Sequence, residues 1–223
     1  MSVGLVLVSH SAKLAQGLAE VAEQMAPDVR IVPAGGLAEG GIGTDYDSVV
    51  AAVQRAESGQ GVVLLYDLGS ARMTAELAVE SLADPEAAVV ADAPFVEGAV
   101  AAAVAAQGGA DRAAVVAAAA SAGAPDLGEE PSVGEGADSV ELVLSNDVGL
   151  HARPAALLAR SLAGFDADVS VALGEQEADA HSVLALMSLG ARKGDRIEVR
   201  ARGAQAAQAL RKVTDLVERN FDE

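Results

Sequence analysis

Cysteine and tryptophan are absent from the 223 residues, only 2% of them are aromatic, and there are three histidines. Without cysteine there is no disulfide, no thiolate nucleophile and no cysteine-ligated zinc. With so few rings, the 51% of hydrophobic residues must form cores of Ala, Val and Leu packed closely, which suits alanine-rich helices. Basic residues are scarce too: 15 against 33 acidic ones, for a formal net charge of −18. That balance argues against holding a polyanion over a broad surface, so nucleic acid is not an expected partner. The opening MSVGLVLVSHS has an apolar run far too short to cross a bilayer and no basic segment ahead of it. It reads as a buried first strand, and the protein is expected in the cytoplasm.

The length fits two domains. Over residues 1–122, strand signals (GLVLV at 4–8, VRIVP at 29–33, GVVLLYD at 61–67, AAVVADAP at 87–94) alternate with helical ones ending in the Ala-rich stretch 96–121. Continuous apolar strands between amphipathic helices imply an α/β domain with a mainly parallel sheet covered by helices. Residues 123–137 are small, acidic and rich in Gly and Pro, the composition of a linker. Over 138–223 the strands SVELVLS, ADVSVAL, EQEADAHS and DRIEVRARG are interleaved with three helices. Alternation in the strands implies a sheet covered on one face, an α+β open-faced sandwich of order βαββαβα.

Two histidines occupy the same kind of place. His10 ends the first strand where a helix begins; His151 follows a strand and a glycine turn, with Pro154 suited to a helix start. Unpaired backbone N–H groups and the positive end of the helix dipole both favour an anion there and disfavour an imidazolium. A neutral imidazole is a competent nucleophile. The combination describes a histidine that accepts and passes on a phosphoryl group, with Arg153 placed to contact the phosphate oxygens. A histidine at a helix start also serves as a plain cap or surface residue. His181 lies at the end of an alternating strand and is assigned no chemical role. Three scattered histidines do not converge into a metal site, and no cofactor is implied. The glycine run GGLAEGGIG (35–43) is not followed by Gly-Lys-Ser/Thr, so it is no nucleotide loop.

GLHARPA (149–155) resembles the phosphorylation site of the HPr phosphocarrier family of the phosphoenolpyruvate-dependent phosphotransferase system. Histidine, arginine and proline stand at that family's spacing. The resemblance implies that His151 is phosphorylated and that Arg153 binds the phosphate. It extends to HSVLALMSLGARKGD (181–195), where Ser182 matches a regulatory serine and Val183, Leu184 and Met187 match an apolar patch that docks partners. His181 stands where many relatives have lysine, and a serine at 182 also caps a helix. Residues 1–122 resemble the mannose-family EIIA domain, and more closely its version in the DhaM family of dihydroxyacetone kinase subunits. VSHSAKLAQG (8–17) and LLYDLGSA (64–71) carry the matching His10 and Asp67, and the glycine run with 68–71 favours the DhaM version. A carboxylate on one imidazole nitrogen would fix the tautomer; Asp67 also fits a helix cap.

The DhaM resemblance implies a phosphotransferase subunit working through phosphohistidine. Enzyme I would charge His151, His151 would pass the group to His10, and His10 would hand it to ADP held in DhaL, while DhaK binds dihydroxyacetone. A homodimeric first domain belongs to the same expectation, while whether a separate HPr also charges His10 stays open. Some relatives carry a further domain like part of enzyme I, and none is expected in this chain. Two other readings stay open: a sugar-uptake EIIA-HPr component, and an HPr-like regulatory protein that binds partners and catalyses nothing.

Overall fold

A computed structural model describes residues 2–122 and 138–222; the stretch 123–137 read as a linker lies outside the described residues. By internal contacts the chain divides into two units, Met1–Ala124 and Pro125–Glu223.

In the first unit GLVLVS forms β1 (Gly4–Ser9), buried along its whole length. β2 (Ile31–Gly35) and β3 (Val62–Tyr66) flank it, and β4 (Ala88–Val90) lies beyond β3. All pairings are parallel, in the order β2-β1-β3-β4. Pro33 is tolerated because β2 is an edge strand. The side chains of β1 alternate between two cores. Leu5 and Leu7 pack under α1 (Ala12–Met25), α4 (Phe95–Gln107) and α5 (Arg112–Ser121), whereas Val6 and Val8 pack under α2 (Tyr46–Ala56) and α3 (Gly69–Glu80). Leu5, Leu7, Leu64 and Leu65 are fully buried, each contributing roughly 2–3 kcal/mol relative to exposure. Ala99, Ala102, Ala103 and Ala106 let α4 lie close against the sheet, which is how a core almost without rings is closed.

Two strands differ most from the sequence reading: β2 begins and ends two residues later than VRIVP (29–33), at Ile31–Gly35. β4 is shorter than 87–94: Ala91 N–H makes the last bond across, to Leu64 O, and Pro94 then begins α4 as its N-cap. α3 starts at Gly69, which brings Ser70 into its first turn.

In the second unit β5 (Asp138–Val143), β6 (Asp168–Leu173), β7 (Gln176–Asp179) and β8 (Arg196–Arg202) form an antiparallel sheet of order β5-β8-β6-β7. α6 (Ala152–Leu162), α7 (Val183–Ser188) and α8 (Ala206–Glu218) supply the covering layer over Val171, Ile197 and Val199. The other face carries charge: Arg200 pairs with Glu177 at 3.1 Å and with Glu198 at 2.7 Å, above the buried Ser170. β7 ends at Asp179, earlier than expected. The Asp179 carboxylate accepts the His181 N–H at 2.9 Å, an Asx turn that stops the strand and puts His181 in the turn.

Candidate functional site

The order β2-β1-β3-β4 reverses direction between β1 and β3, and ligands of open parallel sheets bind outside the carboxyl ends of the strands at that point. His10 follows β1 and Asp67 follows β3, so the topology alone sets them side by side. The contact is complete. His10 Nδ1 lies 2.9 Å from Asp67 Oδ1, while Asp67 Oδ2 accepts the His10 backbone N–H at 2.9 Å and the Ser9 hydroxyl at 2.8 Å. Burial pushes the Asp67 carboxyl up, but the bonds from the His10 ring, the His10 N–H and Ser9 outweigh it and hold the group below its ordinary value. An ionised carboxylate only accepts, so Nδ1 carries the proton and Nε2 the lone pair. Nε2 accepts the Ser70 hydroxyl at 2.7 Å.

Ser70 stands in the first turn of α3, whose N-cap Leu68 makes no side-chain cap. The free N–H groups of a helix start therefore lie on the Nε2 side of the ring. The glycine loop closes the other flank: Gly43 N–H donates to His10 O at 2.9 Å, Gly36 N–H to Ser9 O at 3.1 Å, and Thr44 and Thr74 hydroxyls meet at 2.9 Å. Gly35 is required for that approach, since a Cβ would lie 2.6 Å from Ser11 O. The His10 side chain keeps 20% of its surface exposed, and Leu68 and Ile42 on the neighbouring loops are exposed apolar groups. The arrangement is an imidazole with a fixed tautomer, one nitrogen oriented for attack, and hydrogen-bond donors where an incoming anion would sit.

The second site is built differently. His151 is the N-cap of α6 and exposed; its side chain makes no cap, and neither ring nitrogen hydrogen-bonds to any described residue. Pro154 is the third helical residue rather than the first, still within the turn whose N–H groups lack helical partners. Arg153 is exposed and forms no ion pair among the described residues, so the structure puts it next to His151 in the chain without bonding the two. What is held rigidly is the loop ahead of the histidine. Asn146 Nδ2 donates to Gly149 O and Leu150 N–H to Ala191 O, each at 2.9 Å, and Lys193 bridges to Asp147. Gly149 has φ +65°, and a Cβ there would lie 2.1 Å from Ala191 O. Gly149→Ala should therefore destabilise this unit by roughly 3–5 kcal/mol, combining backbone strain with an unrelievable clash. Urea unfolding of the variant against wild type checks it; a loss below about 1 kcal/mol contradicts the packing described.

On α7 the Ser182 hydroxyl accepts the Ala185 N–H at 3.2 Å, as a cap does. Leu184 and Met187 are half-buried, but Val183 is 4% exposed and packs inward. Its place in an outward apolar patch is thereby corrected: the first residue of this helix turns towards the core. His181 Nδ1 lies 3.1 Å from Asp179 Oδ1, and that hydrogen bond raises the imidazole above its ordinary value against the effect of burial. Sequence reasoning missed Ser9 and Ser70. The signals were a serine on each side of His10 and a serine three residues after Asp67 at a strand-to-helix turn. Among the described residues there is no cluster of three or more metal-ligating side chains, and no helix long and apolar enough to cross a membrane.

Two family models match the chain: EIIA-man, the fructose IIA component of the phosphotransferase system, over residues 4–116, and the HPr component phosphorylation site over residues 139–219. The phosphoryl donor subunit DhaM of a phosphoenolpyruvate-dependent dihydroxyacetone kinase from Providencia stuartii is 35% identical over 98% of this chain and 50% of its own length. A DhaM from Listeria innocua is 41% identical over 47% of this chain and 82% of its own length. The crystal structure of the unknown-function protein EF1359 superposes with a TM-score of 0.52 at 33% identity, over 57% of this chain and all of that one. The chain spans about half the length of the Providencia relative. With an EIIA-man unit followed by an HPr unit and these relatives, the chain belongs to the DhaM family.

Proposed function

We propose that the chain is a two-station phosphoryl relay serving a dihydroxyacetone kinase. In this reading enzyme I, charged by phosphoenolpyruvate, phosphorylates His151 in the phosphocarrier domain 138–223; His151 passes the group to His10 in the acceptor domain 1–122. Phospho-His10 then rephosphorylates ADP held by DhaL, which serves the dihydroxyacetone bound by DhaK. The acidic stretch 123–137 acts as the tether that keeps both stations at high effective concentration. We place this traffic in the cytoplasm, where phosphoenolpyruvate and ADP are found.

The observation that carries the reading is the hydrogen-bonded chain Asp67, His10, Ser70. Attack by Nε2 on the phosphorus breaks the donor's N–P bond, returns that electron pair to the donor nitrogen, and leaves positive charge on the acceptor ring. The Asp67 carboxylate, hydrogen-bonded at Nδ1, balances that charge. Ser70 then turns its hydroxyl from the lone pair to a phosphoryl oxygen. Onward transfer reverses these movements, so the site must favour the transition state over the phosphohistidine itself. At His151 the open ring and Arg153, which has no ion pair among the described residues, suit a carrier that meets more than one partner, with Arg153 contacting the phosphate. Leu184 and Met187 contribute to the docking face, and Ser182 serves as a helix cap.

Purified DhaL with bound ADP tests the assignment. The phosphorylated chain should lose label from His10 as the nucleotide gains a phosphate. Retention of all label on His10 in its presence would sink the dihydroxyacetone route and favour delivery to a sugar-transport acceptor.

A further inference from the structure

Residues 1–122 contain fifteen acidic and five basic side chains. Four of the five basic groups are engaged. Arg30 donates to the carbonyls of Arg55 and Glu57, Arg55 to that of Ala51, Arg72 to the carboxylate of Glu76, and Arg112 to the carbonyl of Glu86. Lys13 differs: it is exposed, and it has neither hydrogen bond nor ion pair among the described residues. Its position also runs against helix electrostatics. It is the second residue of α1, in a first turn with no acidic side chain, where a cation is repelled by the positive end of the helix dipole. The unpaired cation of this unit thus stands where local structure gains nothing from it. Departures of that kind concentrate at functional sites.

His10 lies three residues upstream, just before the Ser11 cap of the same helix. Around Nε2 the donors are neutral, the Ser70 hydroxyl and the N–H groups of the α3 start, and the charged group on the ring is the Asp67 carboxylate. A phosphoryl group arriving on Nε2 brings up to about two negative charges to a site whose own charge is negative. Lys13 stands three residues after His10, in the first turn of the helix that begins beside that histidine, on a flexible four-carbon stem.

We propose that Lys13 is the cation that neutralises the phosphoryl group as it moves onto and off His10. The proposal rests on the relay reading above. In the transfer, the Nε2 lone pair forms the new N–P bond, the donor imidazole keeps the electrons of the broken one, and Lys13 contacts the equatorial oxygens between them. At His10 it does what Arg153 does at His151, but as a point charge on a flexible stem rather than a rigid fork. A group that must leave again is better served by a contact that follows it than by one that clamps it.

The test uses the intact chain with phosphoenolpyruvate and enzyme I, reading the single-turnover rate at which label reaches His10 in wild type, Lys13→Gln and Lys13→Arg. Lys13→Gln should be slower by about tenfold, just above the scale of one charge pair in a largely aqueous setting, and Lys13→Arg should stay within about threefold of wild type. The deficit should shrink as salt screens the pair. Thermal unfolding separates this from a structural role: removing a cation from a helix start leaves the midpoint equal or higher. An unchanged rate in Lys13→Gln overturns the role of Lys13 alone, as does a slower rate with a lowered midpoint and no rescue by arginine. Failure of the wild-type chain to carry any label at His10 overturns the relay and Lys13 together.

Discussion

With phosphoenolpyruvate and enzyme I, a chain carrying His10→Ala should still be labelled at His151, whereas His151→Ala should lose label at His10 too unless separate HPr is supplied. Loss of a nucleophile leaves no route to the intermediate, so the fall is expected to exceed about 10⁴-fold. The order follows from how each histidine is held. His151 is exposed, with no hydrogen bond to its ring among the described residues, beside an exposed arginine that forms no ion pair there; such a side chain can enter a donor's site. His10 has one nitrogen on a carboxylate, the other on a hydroxyl, and a backbone N–H on the same carboxylate. That is an acceptor arranged in advance, open from one side.

Neither substitution should be confounded by unfolding. Ser9 keeps its bond to Asp67 when the His10 ring is removed, and His151 contributes no side-chain cap to lose. Label reaching His10 directly from enzyme I in His151→Ala would overturn the order. If both variants supported normal function in cells, the regulatory-binding reading would replace the relay altogether.

Much of this is legible in the sequence. Runs such as GLVLV and VVLLY are apolar at every position because the parallel strands are covered on both faces, and both faces are indeed packed. Alternation in the second half marks the sheet whose other face carries Arg200 and its two glutamates. His10 and His151 announce themselves by standing at helix starts in a chain with only three histidines. Less legible was whatever depends on where a turn closes. One residue of Asx turn moved His181 out of a strand, and one helical phase angle turned Val183 inward while Leu184 and Met187 stayed at the surface. Ser70 was hidden for the same reason. A serine in a strand-to-helix turn is ordinary until α3 is known to begin at Gly69, which aims that hydroxyl at a ring 60 residues away in the chain.

Asp67→Asn carries the second large effect. The amide oxygen can still accept one hydrogen bond, but the NH₂ group can donate to Nδ1, which would drive the proton to Nε2 and cover the attacking nitrogen. The charge that balances the developing imidazolium is lost as well. Together these should slow label transfer onto His10 by about 10²–10⁴-fold, the range expected when an imidazole's carboxylate partner is neutralised with its geometry kept. Label at His151 should be unaffected, which isolates the defect to the first unit. The same substitution should alter the acid limb of stability. Because Asp67 titrates below its ordinary value of 3.8 in the folded unit, it stabilises the fold above 3.8, and that contribution is lost as pH falls through the lower folded value. Asparagine has no such titration, so the difference in stability between wild type and variant should narrow on acidification. Unfolding midpoints measured from neutral pH down to about pH 3 read this directly. A gap that widens towards acid would mean that the carboxylate is strained in the fold, and that its three hydrogen bonds do not hold it ionised for the work at His10.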